Sequence, residues 1–394
     1  MSPAMSSLSS LPSSRPSNSL PWSQIAESVT PGHPDKVADQ VSDAVLDAYL
    51  ATDPHARVNC EVMVTRDHVL VTGQVTAAGA VDVEAVVRGV LSDVGYRDVA
   101  VHGIDATRSP VTVVLDHQSR EIGAGVDEGG SGDSGIVYGY ACDETPERLP
   151  LSCVLAHTLS RTLAEQRDQA PQVGLGPDGK VQVEVVAGDR PSHGRVVLSV
   201  QHAATEPLEA VREFCAEQVV KPVLATRDLP VEWVQVNPAG SFVVGGTAAD
   251  AGLTGRKLMV DTYGGLARHG GGCFSGKDAT KVDRSGAYVA RQLALTAVEA
   301  GLAARCQVGM AYAIGRPEPV WFEVDCFGTE RVDPAKLTVA LRSLTDLRVD
   351  ATIDRLRLRH IPFRPTATFG HFGRTDGFPW EQPVRADELR AQLA

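Results

Sequence analysis

The sequence predicts an α+β chain in which one unit, two strands followed by an amphipathic helix, occurs three times with pseudo-threefold symmetry. Three segments carry that expectation. The first has strands over 57–64 and 68–75 and a helix over 82–94. Its apolar residues Val83, Val86, Val87, Val90, Leu91 and Val94 fall at helical spacing, and Gly95 is its stop. The second has strands over 181–186 and 195–201 and a helix near 207–220. The third has strands over 307–314 and 320–327 and a helix near 334–344. The copies recur about every 125 residues. A chance run of similar units is the alternative.

Further elements lie between the copies. A helix starts at Pro34, with Val37, Ala38, Val41, Ala44, Val45, Ala48 and Tyr49 at helical spacing. Proline suits a first helical position. A long helix spans about 285–300 and ends at Gly301. The glycine-rich run 129–135 leads into a strand-like Ile136-Val-Tyr-Gly-Tyr. Residues 1–23, rich in Ser and Pro, read as a disordered extension or as a start misassigned between Met1 and Met5.

The chain has 394 residues, 43% of them hydrophobic, enough for two or three domains. Its 37 basic and 49 acidic residues leave a net charge of −12, which argues against a general nucleic-acid or anionic-membrane binder. No apolar run reaches the length of a membrane span. Seven cysteines without a CxxC pair argue against a disulfide framework or a zinc site and favour a reducing, cytoplasmic setting.

The segment 242–283 concentrates the chemistry. It holds ten glycines, five Arg or Lys side chains and four aspartates, among them Asp250, Arg256, Lys257, Lys277, Lys281 and Asp283. Glycines let backbone N–H groups approach an anion. The cations supply charge for phosphate oxygens, and aspartates hold a divalent cation against them. The expectation is a polyphosphate site built from a segment with no core of its own. No Gly-x-x-x-x-Gly-Lys-Ser/Thr follows a strand, which argues against a P-loop enzyme.

Other constellations lie outside that segment. His33, Asp35 and Lys36 sit at a helix N-terminus, where anions are favoured; Asp35 is either a Mg²⁺ ligand or an ordinary cap. Val58, Cys60, Val62 and Val64 share one strand face, so Asn59, Glu61 and Met63 share the other. Glu61 there is either solvated or facing a cation. Asp178-Gly-Lys180 precedes the second hairpin, either as a Pro-Asp-Gly turn or with Lys180 aimed at a phosphate.

Together the motifs resemble the S-adenosylmethionine synthetase family. They are Gly32-His-Pro-Asp-Lys, Gly252-Leu-Thr-Gly-Arg-Lys, Val260-Asp-Thr-Tyr-Gly-Gly, His269-Gly-Gly-Gly, Phe274-Ser-Gly-Lys-Asp, Lys281-Val-Asp-Arg-Ser and Gly370-His-Phe-Gly-Arg. The resemblance covers residues 27–381. It implies three interlaced domains, here 24–121, 129–243 and 244–394, and a homodimer with shared active sites, paired further as a dimer of dimers. It implies that methionine sulfur attacks C5′ of ATP and that the displaced tripolyphosphate is cleaved to phosphate and pyrophosphate. By resemblance His33, Lys180, Arg256, Lys257 and Lys277 surround the triphosphate. Asp35 and Asp283 hold two Mg²⁺ ions, and Glu61 holds K⁺. Phe242 stacks on adenine, and Asp178, Gly179, Ser241, Asp250 and Cys273 match further nucleotide positions. Gln74, Gln118, Asp133, Asp250 and Lys281 match methionine positions, with Lys281 also among the catalytic residues.

The chain departs from the family pattern mainly on the amino-acid side. Gln74 stands where the family has a glutamate that receives the methionine ammonium. Exchanging a charged for a neutral acceptor predicts a KM raised about 5- to 30-fold. After Gln118, the family's Pro-Asp-Ile is replaced by Arg120-Glu121-Ile122, and the stretch to Asp133 is shorter. Ser134 replaces Gln, Ser241 replaces Arg, Thr247 replaces Pro, and Arg316 enters an apolar turn. These changes raise the alternative of the same adenosyl transfer onto a different thioether or a methionine analogue.

Overall fold

A computed structural model describes residues 22–118, 126, 129–187, 191–374 and 376–393. The expectation for 1–23 lies outside the described residues up to 21, and that for 120–122 lies wholly outside them. Eleven described strands form three sheets. Strand β1 is Trp22–Val29, β2 Arg57–Thr65, β3 His68–Thr76, β4 Val111–Asp116, β5 Gly135–Cys142, β6 Leu175–Ala187, β7 Pro191–His202, β8 Val231–Val236, β9 Gly252–Leu253, β10 Arg305–Tyr312 and β11 Trp321–Asp325. The sheet orders are β4-β3-β2-β9, β1-β6-β7-β8 and β11-β10-β5.

The three repeated units are β2–β3, β6–β7 and β10–β11, each an antiparallel hairpin followed by a helix. Those helices are Val83–Val94, a run from Leu208 to Ala225, and Pro334–Ser343. Asp82 caps the first by accepting from Ala85 N, and Gly95, at φ 97°, closes it. The second is not one regular helix as expected. It passes through a π-type segment at Cys215–Val220, just before Pro222, whose missing N–H removes one helical bond.

The interlacing follows a cyclic rule. Each repeat is preceded by a strand and a long helix, and that strand joins a different repeat's sheet. Strand β1 pairs with β6 from Trp22↔Ala187 to Val29↔Lys180. Strand β5 pairs with β10, and β9 pairs with β2 at Met63↔Leu253 and Val64↔Gly252. The long helices are Pro34–Thr52, Leu151–Gln169 and Val282–Glu299. They cover β2, β6 with β1, and β5 with β10, respectively. The last begins three residues before the expected 285. The helix 151–169 and strand β1 had no counterpart in the sequence reading.

Two cores result. One joins the first and third sheets through residues such as Val41, Val62, Leu91, Tyr288, Val308 and Trp380. The other lies under the second sheet, around Leu159, Val183, Leu198 and Val219. Among the described residues, the opposite face of each sheet is without a covering long helix. Exposed Ile25, Met63, Val114, Ile136 and Trp321 lie there.

Candidate active site

The helix 34–52 organises the site. Pro34 is its first residue, and His33 precedes it, with Nδ1 accepting from Asp35 N at 3.2 Å. Asp35, Asp39, Asp43 and Asp47 recur at four-residue spacing, which aligns them along one face. Each accepts from backbone N–H groups between residues 253 and 364. Asp35 accepts from Leu253 N at 3.0 Å, Asp39 from Gly255 N at 2.9 Å and Asp43 from Gly276 N at 2.8 Å. Asp47 accepts from Phe363 N at 2.7 Å and Arg364 N at 2.9 Å.

This corrects the reading of the glycine-rich segment. Its N–H groups at Gly246, Leu253, Gly255 and Gly276 do approach anions, and the anions are the protein's own aspartates. Its glycines also permit backbone-on-backbone contact. A Cβ at Gly276, where φ is +79°, would lie 1.9 Å from Cys60 O, and one at Gly252 2.1 Å from Pro34 O. Nor does the segment lack a core, since Val260, Tyr263 and Phe274 are buried.

The predicted residues fall into two groups. The first surrounds Asp35, which is buried. Lys257 Nζ donates to Asp35 Oδ2 at 2.5 Å, and Arg256 Nε lies 3.5 Å from Oδ1. Burial alone would raise the Asp35 carboxyl, but hydrogen bonds from Lys257 and Leu253 outweigh it and hold the group low. Burial, then Lys257, depress His33 to about 4, so its imidazole is neutral at pH 7. Lys180 and Glu27 form an ion pair of 2.7 Å on the uncovered face of the second sheet.

Asp178 and Gly179 do not form the turn considered above. Both lie inside β6, where the register shifts between Leu175 and Gly179. Thr30 donates to the carbonyl of Pro177 at 2.7 Å, drawing the bulge onto the loop before helix 34–52. Asp178 accepts from Gly246 N at 2.8 Å, and burial raises it to about 6. Phe242 N donates to His202 Nε2 at 3.2 Å. Ser241 and Asp250 are exposed beside this group.

The second group lines a cleft of about 590 Å³. Asn59, Glu61, Gln74, Gln118, Asp133, Lys277 and Lys281 all contribute. Lys277 pairs with Asp283 at 2.5 Å and lies 3.8 Å from Asp133. Its ammonium is held above the ordinary value: burial lowers it, but Cys273 and Asp283 raise it further. Cys273 is partly buried next to Gly255, and burial pushes its thiol up to about 11. Lys281 is buried against Asp278. Glu61 points to the uncovered face with Asn59 and Met63, as the strand alternation requires.

The two groups remain separate within one chain. Lys277 stands opposite Asn59 on β2, whereas Leu253, which binds Asp35, stands opposite Met63. Four residues of strand put roughly 13 Å between those points. Among the described residues no hydrogen bond or ion pair joins Lys277, Lys281 or Asp283 to His33, Asp35 or Lys257. The aspartate ladder and Glu27 went unnoticed in the sequence; the four-residue Asp spacing in a predicted helix was the available signal for the ladder. The departures are also placed. Thr247 is buried and donates to His102 O at 3.0 Å, and Ser134 Oγ accepts from Ile314 N at 2.8 Å.

The donor sets suit hard cations shared with a ligand. Among the described residues no three His, Cys, Asp or Glu side chains gather as a metal cage. Asp35 and Asp283 are instead isolated oxygen donors beside cations. Mg²⁺ held partly by phosphate oxygens asks for such donors. Asn59 Oδ1, a buried acceptor without a partner among the described residues, and Glu61 suit a monovalent cation in the same way.

Fold and site define an interlaced three-domain α+β protein whose cationic side chains cluster around isolated carboxylates. Residues 22–120 match the S-adenosylmethionine synthetase N-terminal domain, 128–242 the central domain and 244–382 the C-terminal domain. The S-adenosylmethionine synthase of Nocardia farcinica is 47% identical over 391 residues, covering 93% of this chain and 96% of that protein. That of Desulforudis audaxviator is 47% identical, covering 93% and 97%, and that of Synechococcus sp. strain WH7803 is 48% identical, covering 90% and 93%. The chain belongs to the S-adenosylmethionine synthetase family. No described helix is long and apolar enough to cross a membrane.

Proposed function

We propose that this chain is a methionine adenosyltransferase that makes S-adenosylmethionine from ATP and L-methionine and cleaves the enzyme-bound tripolyphosphate to phosphate and pyrophosphate. The gathering of His33, Lys180, Arg256 and Lys257 around Asp35 carries this reading. The methionine sulfur lone pair forms the bond to C5′ while the C5′–oxygen bond breaks, and its electrons leave with the triphosphate. The thioether carries no proton, so this step needs no base. The developing charge on the leaving oxygen calls for cations already in place, which Lys180, Arg256, Lys257 and Lys277 supply. Neutral His33 donates a hydrogen bond to a phosphate oxygen. Water then adds to the terminal phosphorus, and pyrophosphate departs.

Asp35 and Asp283 would each hold a Mg²⁺ ion, which would neutralise charge on the phosphate oxygens. Glu61 would hold K⁺, which would supply fixed positive charge near the methionine cleft. An Asp283→Asn variant is expected to need more Mg²⁺ for half-maximal rate; an unchanged Mg²⁺ titration removes Asp283 as a ligand.

The separation of the two groups supports a homodimer with shared active sites, the Lys277 group of one protomer completing the Asp35 group of the other. The exposed apolar residues on the uncovered sheet faces suit that contact, and two such dimers form the tetramer. We assign the domains to 24–121, 129–243 and 244–394, and the protein to the cytoplasm, where its seven free cysteines stay reduced. The test is mass spectrometry of a reaction with ATP, L-methionine, Mg²⁺ and K⁺. One S-adenosylmethionine, one phosphate and one pyrophosphate per turnover are expected. Untouched ATP sinks the reading.

A further inference from the structure

By the resemblance, position 74 carries the carboxylate that receives the methionine ammonium, and this chain has the neutral Gln74 there. The sheet places another beside it. Strand β4 runs parallel to β3 with Gln74 in register with Asp116, and β2 places Asn59 in register on the other side. Residues in register on neighbouring strands stand about 5 Å apart and point to the same face. Asn59, Gln74 and Asp116 therefore form one row across the uncovered face, and all three line the cleft. Glu61 belongs to the next row, opposite Thr72.

The bonding in the cleft is one-sided. The carboxylate of Asp116 and the amide of Gln74 make no hydrogen bond or ion pair among the described residues. Asn59 Oδ1 and Gln118 Oε1 are buried acceptors with no partner among the described residues. Buried acceptors left unmade are unfavourable, so their presence marks a place where a donor arrives. Lys277, bridged to Asn59 on the other side of β2, and Lys281 are already paired with Asp283 and Asp278. The unmet demand is for a small cation with several N–H donors.

We propose that Asp116 is the specificity-determining residue that receives the α-ammonium of the amino-acid substrate, replacing the missing charge at position 74 from the adjacent strand. This rests on the adenosyltransferase reading of the same cleft. Gln74 and Gln118 supply neutral acceptors, and Asp116 supplies the charge. On this account the amino-acid substrate keeps its free ammonium, and the substitution at position 74 leaves methionine affinity close to that of a glutamate-bearing site.

The test compares two ligands by calorimetry in the presence of a non-hydrolysable ATP analogue. One ligand is L-methionine. The other is 4-(methylthio)butanoate, which lacks the amino group. Asp116→Asn is expected to weaken L-methionine about tenfold and to leave the des-amino ligand within about twofold, the difference between a charged and a neutral acceptor. In steady state the methionine KM rises more than kcat falls. Adding Gln74→Glu to Asp116→Asn is expected to restore L-methionine binding, whereas Gln74→Glu alone changes it by less than about threefold. The inference is overturned if Asp116→Asn leaves L-methionine affinity unchanged, weakens both ligands equally, or is not rescued by Gln74→Glu. Should Asp116→Asn fail to fold, Asp116→Ser, which also lacks the charge, answers the same question. Failure of the functional reading is separately visible, because the unaltered protein would then form no S-adenosylmethionine.

Discussion

The aspartate ladder of helix 34–52 and the wall of the cleft lined by Gln74, Asp116 and Lys277 are both rich in polar groups, but their bonding differs. Along the ladder every carboxylate is answered. Asp43 takes two hydrogen bonds from Arg284, at 2.7 and 2.9 Å, and a third from Gly276 N. Lys36, fully buried, reaches both Asp39 and Asp261. Across the cleft wall, Asn59 and Gln118 hold buried acceptors without partners among the described residues, and the carboxylates of Glu61 and Asp116 make no hydrogen bond or ion pair among those residues. The answered network fastens the C-terminal segment to the first helix. The unanswered one is set up for a ligand. The contrast predicts that losses at Asp39, Asp43 and Asp47 act on stability and that losses in the cleft act on catalysis; Asp35, which also faces Lys257 and Arg256, belongs to both.

The sharpest way to break this contrast is at Asp43. Its pair with Arg284 is completely buried. Asp43→Asn leaves a buried guanidinium without its counter-charge and is expected to lower stability by about 3–5 kcal/mol. Urea unfolding measures it. A loss below about 1 kcal/mol would show that the ladder is not the fastening it resembles.

Lys277 is the complementary case. Lys277→Ala is expected to lower kcat by about 10²–10³ through lost charge stabilisation in the transition state, with little change in the urea midpoint. A kcat near that of the unaltered protein removes it from the catalytic set.

Asp47 sharpens the contrast through pH. Burial, then the neighbouring Asp43, raise its carboxyl to about 6, against two opposing backbone hydrogen bonds. The folded state therefore holds the proton more tightly than the unfolded chain. The stabilisation from this group is fully present below the unfolded value near 4 and is lost as pH rises through 6. Subtracting the profile of Asp47→Asn should isolate a decline of about 2–3 kcal/mol between pH 4 and 7. Parallel profiles would place the Asp47 carboxyl at an ordinary value.

The smallest effect belongs outside both regions. Glu84 and Arg88 form an exposed pair four residues apart on helix 83–94, at 2.7 Å. Glu84→Gln is expected to change stability by less than about 0.5 kcal/mol and kcat not at all. A larger shift would mean that surface pairs rival the ladder.

Much of this protein was legible before folding. The three hairpin-and-helix units appear in the sequence because alternation and helical spacing are local properties of a few consecutive residues. The alternation of β2 also placed Glu61 on the face opposite the core. The ordered motifs from Gly32 to Arg374 carried the family. Three kinds of fact were not local. Strands β1, β5 and β9 each pair outside their own repeat, and no period in β1 names Val181 as a partner rather than Val71. The Asp178-Gly-Lys180 run has turn chemistry, yet Thr30 and the bulge in β6 hold it in a strand. The backbone amides that answer Asp35, Asp39, Asp43 and Asp47 come from more than 200 residues away. Side-chain type and short-range spacing set the units, their order and the chemical inventory. Long-range closure of the chain set which sheet receives each exchanged strand, which aspartates are fasteners and which carboxylates lack a partner among the described residues. Those outcomes depend on which distant backbone groups meet a given side chain, and therefore on how the whole chain closes on itself.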